Sequence, residues 1–298
     1  MRYLNEDSVA SLAHATSGKP VTMATTTTSP SSRYAAGSAR DRRYRTEAIV
    51  LTRLDYGETD RILTLFTPHF GKVQAIAKGA RKAGSKLGPH LDYFGRVSLQ
   101  LAKGRELDVV TSAELIEPHE RLRLDLDAFG HASYFAELVR HLTQDREENG
   151  RIYDLLKRSL SVLNENVDPW PVTRHFELAL LSALGYQPEL LHCVNCRREI
   201  EPVPNAFSPS LGGMLCPLCR GVDPSSVPVS VNAQKYLRQL LRHGLVATIR
   251  LQPSADERWE IERTIRDYLR YVAERDFSSL RVLSTLNLPG TGALHGPA

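Results

Sequence analysis

Residues Thr46–Arg53 read TEAIVLTR, Asp60–Thr67 DRILTLFT, Lys72–Lys78 KVQAIAK, Arg96–Ala102 RVSLQLA and Leu107–Leu115 LDVVTSAEL. In each short run, β-branched or large apolar residues recur with a period near two, which is the period of a pleated strand. Gly57, Gly71 and Gly104 fall between the runs, where a tight turn needs backbone freedom. Five such strands predict a small barrel of the OB type over residues 43–118. That architecture often carries single-stranded nucleic acid, and other five-stranded barrels share the pattern.

Beyond Pro118 the apolar period lengthens to that of a helix. Leu126, Phe129, Ala132, Ala136 and Val139 share one face, as do Ile152, Leu155, Leu156, Leu160 and Leu163, and then Phe176, Ala179, Leu180 and Ala183. Asn232–His243 and Asp256–Arg275 continue the pattern, the latter with Ile261, Ile265, Tyr268, Leu269 and Val272 on one side. A helical bundle domain is expected over 119–288, and the whole chain reads as an α+β, multidomain protein. The 298 residues suit about two domains of roughly 100 to 200 residues each. Residues 1–42, rich in Thr, Ser, Ala and Gly with a low-complexity run Thr25–Ser32, read as a disordered extension, and 289–298 as a flexible tail. Met23, just ahead of that run, leaves open which methionine starts translation.

All four cysteines lie in two C-x2-C pairs, Cys193/Cys196 and Cys216/Cys219, separated by 19 residues. This spacing suits a zinc ribbon with four thiolate ligands, inserted in the helical domain over 190–222. Gly212 and Gly213 allow the turn that brings the second pair beside the first. A rubredoxin-like iron site, a redox dithiol and four unligated core cysteines share the spacing. Pro202, Pro204, Pro209 and Pro217 argue for an irregular, metal-held segment rather than the helix start that a redox pair uses. One structural Zn2+ is expected, with no open position for catalysis.

Charge is uneven along the chain. Between Lys72 and Arg105 stand eight cations (Lys72, Lys78, Arg81, Lys82, Lys86, Arg96, Lys103 and Arg105) against one acid, Asp92, in a chain whose total is +4. The remainder is therefore net negative, and these eight residues are the candidate DNA-binding set. The aromatic pair Tyr93-Phe94 could stack a base, although Phe94 also alternates like a core residue. The stretch Gly79–Lys86, GARKAGSK, resembles a phosphate-binding loop but lacks Lys directly after its second glycine, and Gly88 and Pro89 oppose the helix that should follow. No G-x-S-x-G, H-E-x-x-H or Rossmann glycine fingerprint occurs, so no enzyme activity is expected. The sequence contains no run of eighteen apolar residues, so neither a membrane span nor membrane binding is expected, and paired thiolates suit a cytoplasmic protein.

The order of parts and four local stretches resemble the RecO family of bacterial recombinational repair. The stretches are EAIVLTRLDYGETDRILTLFT (Glu47–Thr67), GKVQAIAKGARK (Gly71–Lys82), LLSALGYQPELLHCVNC (Leu180–Cys196) and FSPSLGGMLC (Phe207–Cys216). The likeness covers residues 44–288. It implies an OB domain and a helical domain often bearing zinc, binding to single- and double-stranded DNA, strand annealing, and work with RecR. It further implies help in loading RecA onto strands coated by single-stranded DNA-binding protein, with RecF and RecA as indirect partners. The family's basic barrel loop maps onto Lys78, Arg81, Lys82 and Lys86, and its zinc ligands onto the four cysteines. A ligase or nuclease component, or a zinc-ribbon docking factor, would combine similar parts.

Overall fold

Strand β1 (Arg43–Tyr56) is 14 residues long because it serves two neighbours. Its first half, Arg43–Ile49, pairs antiparallel with β4 (Arg96–Ala102), and its second half, Ile49–Tyr56, with β2 (Asp60–Thr67). A bulge between Val50 and Thr52 bends the strand at the changeover. β3 (Gly71–Ala77) continues from β2, and β5 (Asp108–Glu117) closes the sheet, antiparallel to β4 and parallel to β3 at Ala75 and Ile76. The closed order β1-β2-β3-β5-β4 is the expected OB-type barrel. This computed structural model describes residues 42–285. The extension expected at the N-terminus, up to residue 41, and the tail at 289–298 lie outside the described residues.

Alternate residues fill the barrel: Val50, Leu63, Leu65, Ala75, Val97 and Leu99 belong to its core. Positions 48–51 depart from alternation, because all four are buried. Ala48 and Val50 belong to the barrel core, while Ile49 and Leu51 join Phe66 and Phe94 in the core of the helical part. A strand covered on both faces reads as a continuous apolar run, which is what AIVL is. The barrel thus keeps a core of its own, and its face at Ile49, Leu51, Phe66 and Phe94 packs into the core of the helices.

The helical part consists of α1 (Arg121–Leu124), α2 (Leu126–Leu142), α3 (Gly150–Leu163), α4 (Pro169–Ala183), α5 (Val231–Arg242), α6 (Leu245–Thr248), α7 (Ala255–Ala273) and α8 (Ser278–Thr285). The longer helices start on side-chain caps: Asp125, Asn149, Asp168 and Ser230 each accept a backbone N–H of the first turn, and Ser254 with Glu257 forms a reciprocal capping box. Helix α4 runs through the centre, buried at Trp170, Val172, Phe176, Leu178 and Leu181, with the Phe176 ring stacked on Phe135 of α2 at 4.1 Å. It ends at Gly185, whose φ of 87° suits glycine. Between α4 and α5 lies the cysteine segment, with β6 (Asn205–Ser208), β7 (Gly213–Leu215) and β8 (Val227–Val229) in the sheet order β7-β6-β8. No helix among the described residues is long and apolar enough to cross a membrane.

Where α2 meets α4, two titratable groups oppose one another. His131 is buried; desolvation, and then the Arg174 charge, push its pKa down to about 3. Asp127, 3.5 Å away, is raised to about 6 by burial and by Asp125 and Asp168. Below pH 6.5 the unfolded chain binds a proton at His131 that the folded chain refuses, so that residue makes stability fall on acidification. Between pH 6 and 3.8 the folded chain binds a proton at Asp127 that the unfolded chain does not, so that residue makes stability rise. The two contributions offset each other. Asp127→Asn is expected to expose the histidine term: relative to the parent, its unfolding free energy should drop by about 1.4 kcal/mol per pH unit between roughly pH 6 and 4. Urea titrations across that range check this, and parallel pH profiles for the two chains would refute it.

Candidate nucleic-acid interface and metal centre

The basic loop after β3 is fastened to the β1–β2 turn. The Arg81 backbone N–H donates to Thr59 O (2.9 Å), the Gly79 N–H to Asp60 Oδ1 (2.8 Å), and the Arg81 guanidinium to Gly57 O (3.1 Å), with Asp55 at 3.3 Å. These bonds leave Lys78, Lys82 and Lys86 exposed, with no described carboxylate within ion-pair distance. The Gly79 and Thr59 hydrogen bonds, and more weakly Lys78 and Lys82, hold Asp60 below the usual carboxylate range. A phosphate-loop reading also lacks its helix here, since Gly88–His90 is a single 3-10 turn.

The other cations of the 72–105 window are divided. The Lys72 ammonium is enclosed by Thr143 O at 2.9 Å, by Arg140 O and by Asp145 at 3.2 Å, so it anchors β3 to the end of α2. Arg96 is held by Glu47 (3.1 Å) and Glu117 (3.2 Å) and lines a cleft of about 840 Å³ with Lys157, Arg158, Val162, Leu245 and Arg250. Both are committed within the fold. Lys103 and Arg105 are exposed in the β4–β5 turn, at the opposite end of β1 from the Arg81 loop, because Ala102 pairs with Arg43 and the Lys103 N–H donates to Arg42 O at 2.8 Å. There they join Arg42, Arg43 and Arg45, which are all exposed and fall outside the 72–105 window. The period-two alternation of Arg43 and Arg45 about Tyr44 was the signal available in sequence.

Of the aromatic pair, Phe94 does not face solvent. It adopts φ 61°, is 1% exposed, and packs on Phe129 at 5.3 Å. Tyr93 is half-buried, its ring under the Arg53 guanidinium at 4.8 Å and its hydroxyl donating to Arg53 O at 3.2 Å. Base stacking by Phe94 is thereby corrected: its alternation reflected core packing.

The four cysteines converge from two turns. Cys193 and Cys196 lie between α4 and β6, in a turn closed by Arg197 N–H to Cys193 O (2.9 Å) with Arg197 at φ 63°. Cys216 and Cys219 follow β7 in a turn closed by Cys219 N–H to Cys216 O (2.9 Å). Gly213 is required at the crossing, since a Cβ there would fall 2.5 Å from Glu189 O. Zinc–thiolate bonds of about 2.3 Å in a tetrahedron place sulfurs roughly 3.8 Å apart. The Cys196 and Cys216 sulfurs are 3.7 Å apart and all four lie within 4.8 Å of one another. Outer-shell donors are present: Asn195 Nδ2 reaches Cys219 Sγ at 3.3 Å, and the Cys216 N–H reaches Cys193 Sγ at 3.5 Å. The donor set fits one tetrahedral, thiolate-loving metal ion with all positions filled.

The insert is clasped to α5. Gln234 donates to Val203 O and Val229 O at 2.9 Å and accepts from Asn205 at 3.0 Å, while Arg238 donates to Leu190 O at 3.0 Å. Asp223, drawn down to about 2 by the Ser208 and Ser225 hydroxyls, ties the end of β6 to the segment after Cys219.

Residues 42–119 match the family model for the N-terminal part of recombination protein O, and residues 123–281 the model for its C-terminal part. The chain belongs to the RecO family. Proteins named DNA repair protein RecO are similar over most of both chains. That of Roseiflexus sp. is 43% identical over 82% of this chain and 86% of its own. That of Dehalococcoides mccartyi is 36% identical over 82% and 96%, and that of Symbiobacterium thermophilum 34% identical over 82% and 97%. The two RecO models meet at the barrel's end, between Glu117 of β5 and Arg123 of α1. The general role that accompanies this membership is DNA repair.

Proposed function

We propose that this chain is a non-enzymatic recombination mediator that binds single- and double-stranded DNA and anneals complementary strands. With RecR it would help load RecA onto strands coated by single-stranded DNA-binding protein, in the cytoplasm, with RecF and RecA engaged indirectly. The carrying observation is the loop of Lys78, Lys82 and Lys86, exposed on a barrel turn while Arg81 fixes the loop's base. Ammonium groups so placed neutralise phosphates, and screening two backbones lets complementary bases meet. Lys72 and Arg96 are left out of the proposed surface because their charges are already engaged. The thiolate site takes one zinc ion in a structural role, holding the insert rather than reacting.

Neutralising roughly three phosphates of a single strand at this loop gives a log-log salt slope of about −2.1, a loss of about twentyfold between 50 and 200 mM salt. Lys78→Ala/Lys82→Ala should make the slope shallower by about 1.4, equally for unrelated sequences. Fluorescence anisotropy with two oligonucleotides measures it. An unchanged slope in a normally folded double variant removes the loop from the interface. An annealing assay with bare and protein-coated strands tests the mediator role, and its failure on both would refute it.

A further inference from the structure

The five cations Arg42, Arg43, Arg45, Lys103 and Arg105 form a surface separate from the loop. They gather where β1 begins, because the Arg43–Ala102 and Arg45–Gln100 pairings bring the strand beside the β4–β5 turn. All five are exposed, and no described carboxylate lies within ion-pair distance of any of them. The β4–β5 turn carries one exposed acid, Glu106, whereas Lys78, Arg81, Lys82 and Lys86 share their turn with three, Asp55, Glu58 and Asp60. The larger excess of positive charge is therefore at this second end. Cross-strand neighbours Gln100 and Ser112 add neutral donors and acceptors beside Arg45.

The closed barrel sets their separation: Lys78 stands three residues beyond Ala75, and Arg105 three before Asp108, the β5 partner of Ala75, so the two surfaces lie on the order of 20 Å apart at roughly 3.3 Å per residue. That is between two and three Debye lengths at physiological salt, about 8 Å each. Charges so separated act independently on exposed ligands. Resting on the DNA-binding reading above, we infer that the start of β1 and the β4–β5 turn form a second phosphate-backbone site. The barrel then holds two strands at once, one at each end. Two strands on one rigid barrel raise each other's local concentration, which is what annealing needs.

Hexathymidylate at physiological salt, titrated calorimetrically into the full chain, tests this. Two hexamers per chain are expected. Arg43→Gln/Arg45→Gln/Lys103→Gln should bind one, with the remaining site within about twofold of its parent affinity, and Lys78→Ala/Lys82→Ala should likewise bind one. The triple variant should lose annealing while retaining single-strand binding. Should the parent bind one hexamer, or the triple variant lose all binding, the barrel has one continuous site: the second-site inference falls and the DNA-binding reading stands. Two hexamers still bound by the triple variant would put the second site elsewhere and leave the cluster to an acidic protein partner. If neither variant changes binding, the barrel reading itself falls. Lysine acetylation of the parent chain needs no variant to fold: Lys103 should be protected by hexathymidylate, and full reactivity at saturation overturns the inference.

Discussion

Stripping the metal with a strong chelator, or replacing Cys193 with serine, is expected to unfold the segment from Leu190 to Val229 while the barrel stays folded. Structural zinc supplies about 10 to 16 kcal/mol to the folding of sites of this kind. Its strands are only three or four residues long, so the metal would carry much of the local folding beside the packing of Phe207, Met214 and Leu215 into the helical core. The loss should spread to α5, because Asn205, Gln234 and Arg238 tie the insert to that helix. Hydrogen exchange reads it directly: amides of β6, β7 and β8 should exchange freely, and those of β1 and β2 should keep their protection. DNA affinity at the barrel should stay within about twofold. Elemental analysis of protein purified without added metal should give one zinc per chain. Iron, or no metal with unchanged exchange, would overturn the assignment.

The second large effect is expected at Asp108. Its carboxylate is fully buried and accepts from both terminal nitrogens of Arg146 (3.1 and 2.9 Å), from the Gly104 N–H (3.1 Å) and from the Tyr44 hydroxyl. Burial alone raises its pKa, and the Arg146, Tyr44 and Gly104 bonds outweigh that and bring it below the usual range. Arg146 comes from the α2–α3 loop, whose backbone lies so close to β3 that a Cβ at Gly71 would fall 1.9 Å from Glu147 O. Asp108→Ala leaves the Gly104 N–H and the Tyr44 hydroxyl without their acceptor and removes the counter-charge of Arg146. A loss of about 3 kcal/mol follows, half of which Arg146's partial exposure to water already discounts. For a chain of this size that lowers the melting temperature by on the order of 10 °C. Asp108→Asn, which keeps one acceptor oxygen, should fall between the two. A melting temperature unchanged by the alanine variant would show that the carboxylate does not fasten the seam.

The barrel strands were legible because alternation and glycine punctuation are local signals: β2 and β4 begin and end where DRILTLFT and RVSLQLA do. The cysteine spacing was legible for the same reason. Partner identity was not. Lys72 is separated by 73 positions from Asp145, and Arg96 by 49 from Glu47, so nothing nearby in sequence distinguished these engaged cations from Lys82. The Arg42–Arg45 cluster needed the β1–β4 register before it could be joined to Lys103. Strands β6 to β8 are too short to show a period, and α4 begins at Pro169, seven residues before its recognisable apolar face at Phe176. The DPWP start is instead a capping signal, with Asp168 accepting from the Trp170 N–H.

Because Ile49, Leu51, Phe66 and Phe94 belong to the helical core although the barrel's own chain carries them, no hinge separates the two parts. On the proposed DNA-binding reading, a strand seated on the barrel would keep one bearing relative to the α5 face and the thiolate insert. Freedom to reorient would then come from the nucleic acid itself, with the protein as a fixed jig that sets the angle.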